Sequence, residues 1–215
     1  MRKTWTLALA VALAAFLGGC DDDDCWDDDC DPDSFVAQTL SDQPADGDIL
    51  FIPPDSYTVS QADETGSLLF GLDPDSGGEY RAFLDFPLDG RNGGDPVPLE
   101  AEILRADIDV CVWDVVSDFD YFPTELELVP FPIFSGLESE YFDRPPEATR
   151  APVDFFLDDE GHCFPIDVTS LMGAAQLRGD TDLQLRFLVP EGAGIVELYD
   201  GADVNLSPLL TVEFR

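Results

Sequence analysis

The chain has 215 residues, a formal net charge of −36, 45% hydrophobic residues and five cysteines. A surface this acidic repels nucleic acid, whose binding rests on lysine and arginine neutralising phosphates, and no lysine follows Lys3. The longest apolar run, Trp5–Leu17, is shorter than the roughly 20 residues that a membrane-spanning helix needs.

That run follows Arg2 and Lys3 and fits the apolar region of a secretory signal. Its end, Leu17-Gly18-Gly19-Cys20, resembles a bacterial lipobox, in which the cysteine is acylated and becomes the mature N-terminus. Small residues precede the cut and a thiol carries the lipid. One acyl chain holds a protein only marginally and two or more hold it stably, so the resemblance implies a stable anchor at Cys20. Nine of the next thirteen residues are aspartate. From Asp21 to about Asp48 there is no hydrophobic periodicity, and such a segment cannot bury enough apolar surface to offset its ordering entropy. Like charges extend it, so it reads as a spacer of roughly 30 Å or more. A calcium loop would alternate its oxygens around a turning glycine, and DDDDCWDDDCDPD does neither. The expected organisation is a lipoprotein signal peptide over 1–19, a lipidated cysteine with an acidic disordered linker over 20–47, and one folded domain over 48–215.

Cys25, Cys30, Cys111 and Cys163 remain after the anchor. Export implies an oxidising compartment and an even remainder suits disulfides. Of three connectivities, Cys25–Cys30 with Cys111–Cys163 is favoured, the second closing a long loop worth roughly 4 kcal/mol on the chain-entropy model. The spacings do not suit zinc.

After Gly47, short apolar runs are separated by Gly, Pro, Asp and Asn, and several alternate with period two. In ILRADIDVCVW, Leu104, Ala106, Ile108, Val110 and Val112 face one way, and Arg105, Asp107, Asp109, Cys111 and Trp113 the other. Leu183, Leu185 and Phe187 alternate with Asp182, Gln184 and Arg186. Leu210, Val212 and Phe214 alternate with Thr211, Glu213 and Arg215. Further strands are expected over Ile49–Ile52, Tyr57–Val59, Ser67–Leu72, Tyr80–Phe86, Glu125–Val129, Val153–Leu157 and Ile195–Tyr199, with one helical turn near Val168–Leu177. About ten strands with one helical turn predict an all-β fold, a single β-sandwich.

The stretches EYRAFLDFPL (Glu79–Leu88), VPLEAEILRADIDV (Val97–Val110), FPIDVTSLM (Phe164–Met172) and LLTVEFR (Leu209–Arg215) follow in an order that resembles the DNRLRE-type jelly rolls. These are relatives of certain carbohydrate-binding modules of bacterial surface and secreted proteins. The resemblance covers most of 48–215 and implies a jelly-roll sandwich. The segment from Val116 to Arg150 departs from it, being long and rich in proline and aromatics, and no ligand-binding residue of the family maps to a position here.

Catalytic chemistry finds little foothold. The only histidine, His162, sits beside Cys163, which a disulfide explains better. No G-x-S-x-G elbow or glycine-rich phosphate loop occurs, and among 46 acids some pair will always lie close. Sugars dock on exposed aromatic faces, which makes Trp113, Tyr121 and Phe122 candidate ligand contacts. The plainer alternative is that the long segment, with Tyr141 and Phe142, folds over a sheet face and forms a small core of its own. Structural calcium is a candidate at Asp73, Asp75 and Glu79 in LDPDSGGE, or at Asp118 and Asp120, although Asp-Pro-Asp-Ser-Gly-Gly is also an ordinary turn. The expectation is a non-enzymatic bacterial envelope lipoprotein that needs no cofactor, is held to a membrane by its lipid, and binds a surface or extracellular polysaccharide. The alternative is a structural or assembly role through contact with another envelope protein. Glycan binding predicts exposed, coplanar aromatics; protein contact predicts a contiguous exposed apolar patch. Which membrane carries the anchor stays open.

Overall fold

The computed structural model describes residues 34–215, apart from 118, 191, 193, 202 and the side chain of Phe122. Cys20, Cys25, Cys30 and Asp118 therefore lie outside the described residues. In chain order the strands are β1 (Phe35–Leu40), β2 (Gly47–Ile52), β3 (Ser56–Gln61), β4 (Ser67–Leu72), β5 (Glu79–Pro87), β6 (Ile103–Ser117), β7 (Tyr121–Leu128), β8 (Ala148–Thr149), β9 (Val153–Phe156), β10 (Cys163–Asp167), β11 (Asp182–Leu188), β12 (Gly194–Tyr199) and β13 (Leu209–Phe214). A single turn, α1 (Ala62–Thr65), joins β3 to β4, and α2 (Thr169–Arg178) joins β10 to β11.

The ladder runs β1-β13-β6-β12-β4-β5-β11-β7-β8, with β10 on β6, β9 on β7, and β2 carrying β3 on β5. Every pairing among the described residues is antiparallel. The fold is the expected all-β sandwich. Strand β6 carries it from one group of partners to another: its first part pairs with β13 and β10, and Val112–Ser117 pairs with β12. Inward side chains from both groups, among them Phe70, Leu84, Phe86, Ile108, Leu185, Phe187, Val196 and Leu210, form one core, and α2 seals it with Leu171, Met172 and Ala175. Thr169 opens that helix, its N–H donating to Asp167 Oδ1 at 2.9 Å, and Gly179 closes it in the left-handed conformation that glycine adopts without strain.

Three expectations need correction. The folded domain begins before residue 48: β1 pairs with β13 from Phe35↔Phe214 to Leu40↔Leu209. Its inward residues are the small Ala37 and Thr39, both buried, so the strand emits almost no hydrophobic signal. Leu104 faces outward, because the β6–β13 register shifts between Glu213↔Arg105 and Phe214↔Ile103 and leaves Leu104 as an extra residue. Finally, the strand expected over Glu125–Val129 starts earlier: β6 runs to Ser117 and β7 covers Tyr121–Leu128 before an irregular strap follows.

That strap, 129–147, lies across the outer face of β2 and β5. Val129, Phe131, Leu137, Tyr141 and Phe142 bury against Ile49 and Phe83 in a second, smaller core. Strand β5 is thus buried on both faces over Ala82–Pro87, which explains its near-continuous apolar run. Gln184 and Arg186, read from alternation as the polar side of β11, lie under the strap. Gln184 Nε2 donates to Asp85 Oδ1 (2.7 Å) and to the Phe131 carbonyl (2.8 Å), and its Oε1 accepts from the Phe131 N–H (2.7 Å). Arg186 Nε donates to Glu127 at 2.8 Å, and Nη1 donates to the carbonyls of Tyr141 (2.9 Å) and Phe142 (2.7 Å). Burial pulls the Arg186 guanidinium below its ordinary pKa, and Glu127 opposes that.

Candidate functional site

The outer face of β4, β12 and the second part of β6 has no strap. Alternation buries Leu68, Phe70, Val196 and Leu198 and leaves Ser67, Leu69, Ile195, Glu197 and Tyr199 facing out. On β6 the pattern is broken where Glu197 pairs with Asp114 but Leu198 pairs with Val112, so Trp113 is the extra residue of a β-bulge. The bulge reverses the alternation beyond it, so that Val115 is buried and Val116 exposed. Trp113 keeps the outward direction that alternation gives it, 56% exposed, with its ring stacked on Tyr199 at 5.6 Å between centroids and 20° between planes. Gly201 leaves room for that tyrosine, since a Cβ there would sit 2.6 Å from the Tyr199 hydroxyl.

Two adjoining clefts follow this face. One of about 310 Å³ is lined by Trp113, Tyr199, Glu197 and the Thr65-Gly66-Ser67 turn; the other, about 200 Å³, by Leu69, Val116, Ile195, Asp114, Glu197 and the Asp73–Asp75 turn. Glu197 is common to both, which makes them one trough: an aromatic pair at one end, two carboxylates and an apolar strip beyond. No arginine lines either cleft among the described residues. Behind the trough, Asp48 accepts the Leu69 N–H at 3.3 Å, and burial raises its carboxyl to about 7.

The sequence-predicted residues separate into distinct places. Trp113 lies in the trough, with Asp73 and Asp75 at its far end. Tyr121, also 56% exposed, is elsewhere, opposite Phe156 on β9 with ring centroids 6.1 Å apart. The side chain of Phe122 lies outside the described residues. Tyr141 and Phe142 belong to the small core beneath the strap, in line with the plainer alternative for those two.

In the acidic turn two of the three candidate carboxylates are already engaged. Asp73 accepts from the Asp75 N–H at 2.9 Å and from the Ser76 hydroxyl, and these bonds, Ser76 foremost, hold its carboxyl below the usual range. Glu79 pairs with Arg81 at 2.7 Å. Among the described residues no group of three or more His, Cys, Asp or Glu converges as a metal set. Cys111 and Cys163 form a disulfide between register partners of β6 and β10, the pairing favoured from the sequence. His162 is exposed in the turn before it, its Nδ1 3.0 Å from the Glu160 carbonyl.

Tyr199 is the residue that sequence reasoning missed. The signal was available, since period two along Ile195–Tyr199 sets Ile195, Glu197 and Tyr199 on one face; its meeting with Trp113 depends on a bulge that no local pattern announces. Compared with models of known protein families and with curated proteins, the chain matches none.

Proposed function

We propose that the chain is an exported protein anchored through an acylated Cys20, whose trough along β4, β12 and β6 binds a neutral polysaccharide without catalysis. The exposed Trp113, stacked on the half-buried Tyr199, carries this reading. Aromatic faces take the apolar faces of sugar rings, while Glu197 and Asp114 accept hydrogen bonds from hydroxyls. The absence of arginine from the lining disfavours anionic chains, which the net charge repels in any case. The lipobox-like LGGC, the acidic spacer and the segment order resembling the DNRLRE-type jelly rolls support the envelope setting.

The test is a panel of neutral and acidic polysaccharides offered to the full chain at raised salt. Retention by a neutral chain, weakened at least about tenfold in Trp113→Ala, supports the reading. Retention by acidic chains alone, or binding indifferent to Trp113→Ala, contradicts it. A second reading, contact with another envelope protein, is favoured by the exposed Phe119, Tyr121, Phe156 and Leu157 at the β7–β9 end, where the Leu157 N–H meets the Asp120 carbonyl. Tyr121→Ser with Phe156→Ser should leave polysaccharide retention unchanged and would abolish such a contact.

A further inference from the structure

The turn after β1 and the end of β12 bring two carboxylates together in the interior. Asp46 is fully buried and Asp200 is 1% exposed. Asp46 Oδ1 accepts the Asp85 N–H at 2.6 Å, and Asp200 Oδ1 lies 3.4 Å from the Ser41 hydroxyl. Oδ2 of each has no hydrogen-bond partner, although the two side chains are within hydrogen-bonding reach of one another. No arginine is paired with either among the described residues. Two opposed acceptors without a donor are costly in a dry interior unless something positive lies between them.

Main-chain groups crowd the same place. Gln43 Nε2 donates to the carbonyls of Asp200 (2.6 Å) and Ala62 (3.3 Å), the Ala62 N–H donates to the Asp46 carbonyl, and the Asp200 N–H donates to the Gly66 carbonyl. Three pieces of chain meet here: the 41–46 turn, the α1 turn and the end of β12.

We propose that Asp46 and Asp200 bind a calcium ion between their Oδ2 atoms, with the Ser41 hydroxyl, nearby main-chain oxygens and water completing its shell. The donors are all oxygens, which suits a hard cation and not a thiolate or imidazole metal. A divalent ion neutralises two carboxylates, where a monovalent one would leave a buried charge. Calcium accepts such an irregular oxygen set, whereas magnesium demands near-octahedral geometry and keeps its waters. The ion would sit behind the trough, since Asp200 lies between Tyr199 and Gly201, and Gly66 lines the same cleft. Without an ion, burial and then repulsion from Asp200 raise the Asp46 carboxyl well above its ordinary range, and burial raises Asp200 to about 6.

The full chain, stripped with chelator, is melted near neutral pH at about 0.5 M salt so that general screening is already saturated. Calcium should raise Tm by several degrees, and equal magnesium by much less, because the ion binds the native state only. Asp46→Asn keeps the acceptor for the Asp85 N–H and removes the charge. It should match or exceed the chelated wild-type Tm and lose the calcium shift. Asp200→Asn should do the same and carries the test if Asp46→Asn does not fold, while Asp73→Asn should keep the full shift. A wild-type Tm indifferent to calcium, but climbing as pH falls in chelator, would assign the pair a shared proton and overturn the proposal. A calcium shift retained in both Asn variants would place the ion elsewhere and overturn it too. No arm involves a glycan, so failure here leaves the reading of the trough untouched.

Discussion

Two outer faces of this sandwich start from the same period-two pattern and end differently. On β11 and β5 the outward Gln184, Arg186 and Asp85 are covered by the 129–147 strap and satisfied inside the protein. On β12 and β6 no strap covers the outward residues, and Trp113 is exposed while Glu197 and Tyr199 are half-buried. Alternation tells which side chains leave the core and is silent on whether something else then covers them. The covered face converts polar residues into fasteners. The open face keeps Trp113 exposed beside a half-buried Tyr199, whose hydroxyl accepts the Asp203 N–H at 3.3 Å.

The comparison can be strained from the covered side first. Arg186→Ala leaves Glu127 buried without its partner and takes a donor from two strap carbonyls, of which only Phe142's keeps another in Arg81, so the stability loss should be about 3–5 kcal/mol by urea unfolding. A loss below about 1 kcal/mol would mean that the strap is held by its apolar residues alone. Removing the Cys111–Cys163 disulfide, with a sequence separation of 52, should cost roughly 4 kcal/mol on the chain-entropy model, read as the shift in urea midpoint after Cys111→Ser with Cys163→Ser. Gln184→Ala strips partners from Asp85 and from Phe131, and about 1–3 kcal/mol should go with them.

Two buried carboxyls, Asp85 under the strap and Asp48 behind the trough, also set a pH dependence. Burial, with the neighbouring Asp182 adding to it, raises the Asp85 carboxyl to about 7, and burial raises Asp48 to about 7, against an ordinary value of 3.8. Between those values the native state holds more protons than the unfolded chain, so stability falls as pH rises through this range. The urea midpoint should therefore be higher near pH 5 than near pH 8, and a midpoint that falls on acidification would contradict these assignments. The smallest stability effect should come from the open face: Trp113→Ala is expected to stay within about 0.5 kcal/mol of the parent.

Much of this fold is legible in the sequence because its strands keep one face dry. Ser67–Leu72 is bounded from the pattern alone as the structure bounds it, the helical turn expected near Val168–Leu177 is the longer α2, and the Cys111–Cys163 pair follows from compartment and an even cysteine count. What escapes is non-local or too small to signal. β1 hides behind Ala37 and Thr39. Leu104 owes its direction to a bulge, which is set by the partner strand's register. Gln184 and Arg186 look solvent-facing because the strap that covers them begins some 50 residues away in the chain. Half of the candidate site was therefore visible, as Trp113. The other half, Tyr199, needed the register of β6 against β12.

The most direct test of the central claim is hydroxyl-radical footprinting of the full chain with and without a retained neutral polysaccharide. Protection of Trp113 and Tyr199, with Tyr121 and Phe156 unchanged, is the result expected if the open face is the binding face. Protection at Tyr121 and Phe156, with Trp113 oxidised as freely as before, would contradict it.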